Sequence, residues 1–201
     1  MSMLEIQKLV LGPYQNNCYI LGCPGSQTVL VVDAPAGTDA VGGRRVKAVV
    51  LTHTHPDHIM GLHELRHKTK APLAVHELEA AKVGAEMVLR ENDILEIGEC
   101  LIKVLHTPGH TKGSICLFCD GHLISGDTLF PGGPGKTATP EDFRQVVESI
   151  VRTLLALPDD TKVYPGHGPD TVLGKEKHEF AVFSHKPHPA GLCGDVMWLT
   201  A

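Results

Sequence analysis

Aromatic residues make up only 4% of this 201-residue chain, and its 18 basic residues are outnumbered by 23 acidic ones, leaving a formal charge of -5. A general nucleic-acid or anionic-membrane surface needs a basic excess, so this balance argues against both. No apolar run approaches the roughly 20 residues that span a bilayer. The opening Met1-Ser2-Met3-Leu4-Glu5 has neither the basic start nor the apolar stretch of a signal peptide, which makes the cytosol the expected compartment. Cysteine is sparse. Positions 18, 23, 100, 116, 119 and 193 lack the regular spacing of a secreted disulfide scaffold and are expected to be free thiols. Cys116 and Cys119 have CxxC spacing, but 114–119 reads as a strand, where residues three apart point to opposite faces. Two ordinary thiols are expected there.

What the chain does have is histidine, 13 residues of it. Its length suits one domain with a core large enough to need no metal merely to stay folded. Strand-like runs occupy residues 4–11, 17–21 and 28–32, with a hairpin turn at 22–26. Residues 46–51 form an apolar, β-branched run expected to be buried on both faces. Further strands are predicted at 72–75, 93–97, 101–105, 114–119, 122–125 and 163–164, and helices at 59–68, 76–86, 141–157 and 174–180. The helix at 141–157 has the clearest signals: Thr139 as N-cap, Pro140 in the first turn, apolar positions from Phe143 to Leu155, and Pro158 as the stop. The interleaving implies an α/β fold of two mixed sheets covered by helices, as one domain over 1–183. A tail of unassigned role follows at 184–201. Its run Val196-Met197-Trp198-Leu199 is too apolar to stay solvated and is expected to pack on the domain, at a dimer contact or over a cleft.

Four segments share one design, in which an apolar strand ends at a Gly or Pro break carrying His or Asp. They are 49–58 (His53, His55, Asp57, His58), 104–110 (His110), 123–127 (Asp127) and 163–168 (His167). Strand ends of α/β sheets open into a common crevice, so seven metal-competent side chains converge there. His53 and His55 stand two apart on extended chain and project to one side, and Pro56 keeps His55 out of the helical region. Four ligands would suffice for one structural zinc. Seven, two of them carboxylates, suggest two metals roughly 3.5–4 Å apart with positions open to water or substrate. The other histidines read as packing or surface residues; His63 and His67 have a chelating spacing but no partner carboxylate.

Thr52-His53-Thr54-His55-Pro56-Asp57-His58, followed in order by His110, Asp127 and His167, resembles the metal signature of the metallo-β-lactamase-fold hydrolases. Gly126-Asp127-Thr128-Leu129-Phe130 and Gly12-Pro13-Tyr14-Gln15-Asn16-Asn17-Cys18-Tyr19 are similar to segments of the glyoxalase II-like branch. The resemblance implies a four-layer αββα sandwich with the metals at one edge of the two mixed sheets. It implies that His53, His55 and His110 hold one divalent ion, that Asp57, His58 and His167 hold another, and that Asp127 bridges them. Zinc is the first expectation, with Fe or Mn as alternatives. Such a centre supplies hydroxide near neutral pH, and Asp57 is expected to orient it. The implied activity is hydrolysis of a small acyl compound, a thioester first. Lys136 and Phe130 are expected to contact substrate, although the residues leave open that Lys136 is a solvated loop lysine, and Ala138 stands where the branch usually has tyrosine. A single-iron persulfide dioxygenase using His53, His110 and Asp127, and a lactonase, are the alternative activities. The expected partner is a small molecule, with neither nucleic acid nor membrane, on a monomer or homodimer.

Overall fold

The structure is a computed structural model that describes residues 3–201. Its first sheet contains β1 (Glu5–Leu11), β2 (Asn16–Gly22), β3 (Thr28–Val32), β4 (Arg45–Val50), β5 (Leu73–His76) and β6 (Met87–Leu89), in that spatial order. β1, β2 and β3 run antiparallel, whereas β3 through β6 are parallel. A 3-10 turn at Thr38–Val41 lies in the β3–β4 connection, helices α1 (Pro56–Ile59) and α2 (Leu62–Thr69) link β4 to β5, and α3 (Glu77–Val83) links β5 to β6.

The second sheet contains β7 (Ile94–Ile97), β8 (Cys100–His106), β9 (Ile115–Cys119) and β10 (His122–Gly126), then β13 (Lys162–Pro165) and β14 (Thr171–Val172) beyond β10. Only the β10–β13 pair is parallel, because the long excursion between them returns through a helix. That excursion holds a small hairpin, β11 (Leu129–Phe130) and β12 (Gly133–Pro134), and α4 (Pro140–Ser149); α5 (Leu173–Ser184) follows β14.

Alternation along the strands builds three apolar layers. On β4, Ala48 and Val50 face the second sheet, while Val49 and Leu51 face the α1–α3 side. Leu30, Val32, Ile102, Val104, Ile115 and Leu117 fill the space between the sheets. Leu105, Cys116, Leu123 and Val163 on the far side of the second sheet meet Phe143 and Val146 of α4 and Phe183 of α5. Helix, sheet, sheet and helix are thus stacked as four layers, the expected αββα sandwich. Cys116 and Cys119 point into different layers, as the strand period requires. Trp198 is fully buried in the third layer, packed edge-on to Phe180 at 5.3 Å and tilted on Phe183 at 4.9 Å.

Several local expectations need correction. Cys23 and Cys100 are not free thiols: they form a disulfide between the turn after β2 and the start of β8, 77 residues apart in sequence. Residues 59–68 are not one helix, because α1 and α2 break at Gly61, where a Cβ would run into Pro35 O. The helix at 141–157 starts as expected, with the Thr139 side chain accepting from Asp142 N–H. It is α-helical only to Ser149, and a π turn follows over Ile150–Leu154, closed by Leu155 N–H donating to Ile150 O. Both Ile150 and Leu154 of that turn are buried in the third layer. No helix among the described residues is long and apolar enough to cross a membrane.

Candidate metal centre

Every side chain singled out in the four strand-break segments reaches one cleft at the sheet edge. His53, His55, Asp57 and His58 follow β4, His110 follows β8, Asp127 follows β10 and His167 follows β13. Three groups of facing donor atoms lie within 4.8 Å of one another: His53, His55 and His110; His53, His58 and Asp127; Asp57, His58 and His167. In the first group, His110 Nε2 is 2.9 Å from His55 Nδ1 and 3.3 Å from His53 Nε2. In the third, His167 Nε2 is 3.2 Å from Asp57 Oδ2 and 3.3 Å from His58 Nε2. Asp127 lies between the two, with Oδ2 3.6 Å from His110 Nε2 and Oδ1 3.4 Å from His58 Nε2.

The opposite ring nitrogens fix the tautomers. His110 Nδ1–H donates to Lys136 O at 2.8 Å, and His167 Nδ1–H donates to Tyr14 O at 3.1 Å. His58 Nδ1–H donates to Asp33 Oδ2 at 2.9 Å. His53 Nδ1 meets Thr52 Oγ1 at 3.1 Å, and that hydroxyl donates to the same Asp33 oxygen at 2.8 Å. Asp33 also accepts Thr52 N–H through Oδ1. One buried carboxylate therefore orients a histidine of each outer group and turns its Nε2 lone pair into the cleft.

Asp33 was not among the residues expected to act in the site. It ends the apolar run of β3 in the same strand-break manner as the ligand segments, and that was its signal. Asn16 is a second addition: its Nδ2–H₂ donates to Asp57 Oδ2 at 2.8 Å. Glu79 is a third. Fully buried on α3, it accepts from Thr54 between His53 and His55, and it packs so tightly on Gly113, in the loop after His110, that a Cβ there would run into its side chain. It ties together the two loops that supply the first group.

The electrostatics ask for a cation. Burial works against a proton on His58, yet the Asp33 and Asp127 carboxylates outweigh it and push the imidazole up to about 10. Burial also works against ionisation of Asp127, but the facing His58 imidazole, and then those of His53 and His110, hold it well below the carboxylate range. His53 and His55 are held low, first by burial and then by neighbouring imidazoles. Asp127 Oδ1 is buried without a hydrogen-bond partner. Crowded imidazole lone pairs and an orphaned carboxylate oxygen fit divalent metal ions.

Phe130 and Lys136 line a cavity of about 290 Å³ beside this cluster, together with His110, Asp127, His167 and Met197. The Phe130 ring lies over His167 with centroids 6.5 Å apart. His63 and His67 line a different hollow beside α2, which holds none of the clustered groups. His76 and His106 stack on each other at 3.9 Å, and His122 meets the Tyr164 hydroxyl at 2.8 Å.

The profile of the metallo-beta-lactamase superfamily matches residues 11–167. The chain belongs to that superfamily. Among its superfamily relatives, the hydroxyacylglutathione hydrolase of Polaromonas sp. is 33% identical over 164 residues, covering 77% of this chain and 62% of the relative. The chain thus spans less than two thirds of that enzyme's length. Of solved superfamily structures, ETHE1 from Myxococcus xanthus superposes with a TM-score of 0.76 at 28% identity, covering 86% of this chain and 81% of that one. TTHA1623 in a di-iron-bound form superposes at 0.71 and 28% identity, covering 85% and 96%. The superfamily consists in general of metal-dependent hydrolases, and the donor cluster described above is in keeping with that.

Proposed function

We propose that this chain is a dinuclear hydrolase of small thioesters. His53, His55 and His110 hold one divalent ion, Asp57, His58 and His167 hold the second, and Asp127 bridges them. The observation that carries this reading is the presence of two complete donor triplets with one carboxylate between them. A single-metal centre would leave Asp57, His58 and His167 without a use. Zinc is the first choice of ion for imidazole and carboxylate donors, and iron or manganese are alternatives.

When bound, such ions lower the pKa of water towards roughly 7 and polarise a carbonyl oxygen. The protein's own groups do the rest. Asp57 is held below the ordinary carboxylate range: burial opposes ionisation, and the Asn16 hydrogen bond and His58 outweigh it. Its Oδ2 is therefore an ionised acceptor, fixed in place by Asn16, that orients the proton of an attacking water. Phe130 and Lys136 seat the substrate against the cluster. A thiolate leaving group needs little protonation and makes no demand for a general acid, which suits a thioester.

The experiment is thiol release from a small thioester by the metal-loaded protein, with oxygen uptake followed in parallel. Asp127→Ala should lose both metal and turnover. A fully active Asp127→Ala protein overturns the proposal, and so does oxygen consumption on a persulfide without thioester cleavage.

A further inference from the structure

The C-terminal segment reaches the cleft and is fastened there. Thr137 and Gly194 exchange backbone hydrogen bonds of 3.2 and 3.0 Å, and Trp198 N–H donates to Gly132 O at 2.7 Å. A Cβ on Gly133 would run into Val196 O, so the segment lies flush against the β11–β12 hairpin. Trp198 anchors its end in the third apolar layer. Between these fixed points, Asp195, Val196 and Met197 line the same cavity as His110, Asp127 and His167.

Lys136 is the one lysine or arginine on that lining, and Asp195 Oδ2 stands 3.6 Å from its Nζ. Both side chains are largely exposed, 70% and 77% respectively, so either is free to meet an incoming ligand. The remaining wall on this side, Phe130, Pro134, Val196 and Met197, is apolar. An anionic group arriving from solvent therefore meets a cation already screened, and an uncharged chain meets a surface that suits it.

We infer that residues 195–197 form the outer wall of the substrate cavity and that Asp195 is a specificity-determining residue. By screening Lys136, Asp195 biases the site towards thioesters whose thiol portion is uncharged and against those carrying carboxylates. The inference rests on the reading of this cavity as a thioester site, but its test need not use turnover.

The test is calorimetric titration of the metal-loaded full chain with two thioethers that cannot be hydrolysed. One is S-hexylglutathione, which is anionic; the other is S-hexyl-N-acetylcysteamine, which is uncharged. Asp195→Asn should shift the ratio of the two dissociation constants about two- to fivefold in favour of the anionic ligand, the range of an exposed ion pair. Adding Lys136→Gln to Asp195→Asn should cancel the gain, and raised salt should shrink it. An unchanged ratio, a gain that persists without Lys136, or failure of both thioethers to bind overturns the inference. Binding with the expected ratios but no thioester cleavage leaves it standing and refutes the proposed activity alone.

Discussion

Replacing Gly166 with alanine tests the centre with a single methyl group. Gly166 follows β13 with a φ outside the left-handed region, so its backbone accepts alanine without strain. Its amide donates to Gly126 O at 2.8 Å and its carbonyl accepts from Asn17 N–H at 2.7 Å, which fixes the Cα beneath the cluster. A Cβ there would lie 2.8 Å from His58 Cε1 and closer still to Asp127 Oδ1. Ordinary carbon contacts begin at 3.4 Å, so His58 must yield by about 0.6 Å and Asp127 by more. Metal ligation tolerates deviations of only about 0.2 Å. Gly166→Ala should therefore lose at least one metal per chain and weaken the affinity for what remains by about 10- to 100-fold, the scale of disturbed ligand orientation. The methyl enters none of the three apolar layers, so the circular-dichroism spectrum should match wild type. Gly43→Ala, which meets nothing within 4 Å, is the control. Metal content by elemental analysis decides the matter. A Gly166→Ala protein with the full metal complement and wild-type turnover refutes the assignment of His58 and Asp127 as neighbouring ligands.

Other perturbations separate the supporting parts. Asp33→Asn should weaken binding at both metal positions by about 10- to 100-fold, because it orients His53 and His58 alike; competition with a chromogenic chelator reads it. Trp198→Ala should cost about 3–5 kcal/mol in urea unfolding, as expected for a fully buried tryptophan, and should release the tail from the cavity. Glu79 is held below its ordinary value of 4.5, since Thr54 and Thr111 outweigh the burial that opposes ionisation. Its stabilisation is thus fully present above that value and disappears as pH falls through the folded pKa. Glu79→Gln should accordingly flatten the acid limb of the stability curve, measured as urea midpoints from pH 6 to pH 3.

The donor cluster was legible in the sequence because each segment carries its own local signal: an apolar run, a break, then His or Asp. His53, His55, Asp57 and His58 are adjacent in sequence, and the other three repeat the pattern. The layers were legible too, because strand periodicity assigns alternate residues to opposite faces. The supporting groups were harder to see. Asp33 acts on Thr52 and His58 only once β3 and β4 pair, and Glu79 acts only when α3 packs over the His110 loop. β6, β11, β12 and β14 have two or three residues each, too short for a period of two to register. The Cys23–Cys100 disulfide joins a turn to a strand start 77 residues away, for which spacing gives no cue. Trp198 announced burial but not its place, which depends on the hairpin and α5 meeting in space.

Whether these seven side chains build a two-metal thioesterase is decided by metal titration. Metal-free protein receives increasing equivalents of Zn²⁺ while thiol release from a small thioester is recorded. The expected initial rate rises until two equivalents per chain are bound and then levels off. A rate that saturates at one equivalent, or no thiol release at any metal loading, contradicts that assignment.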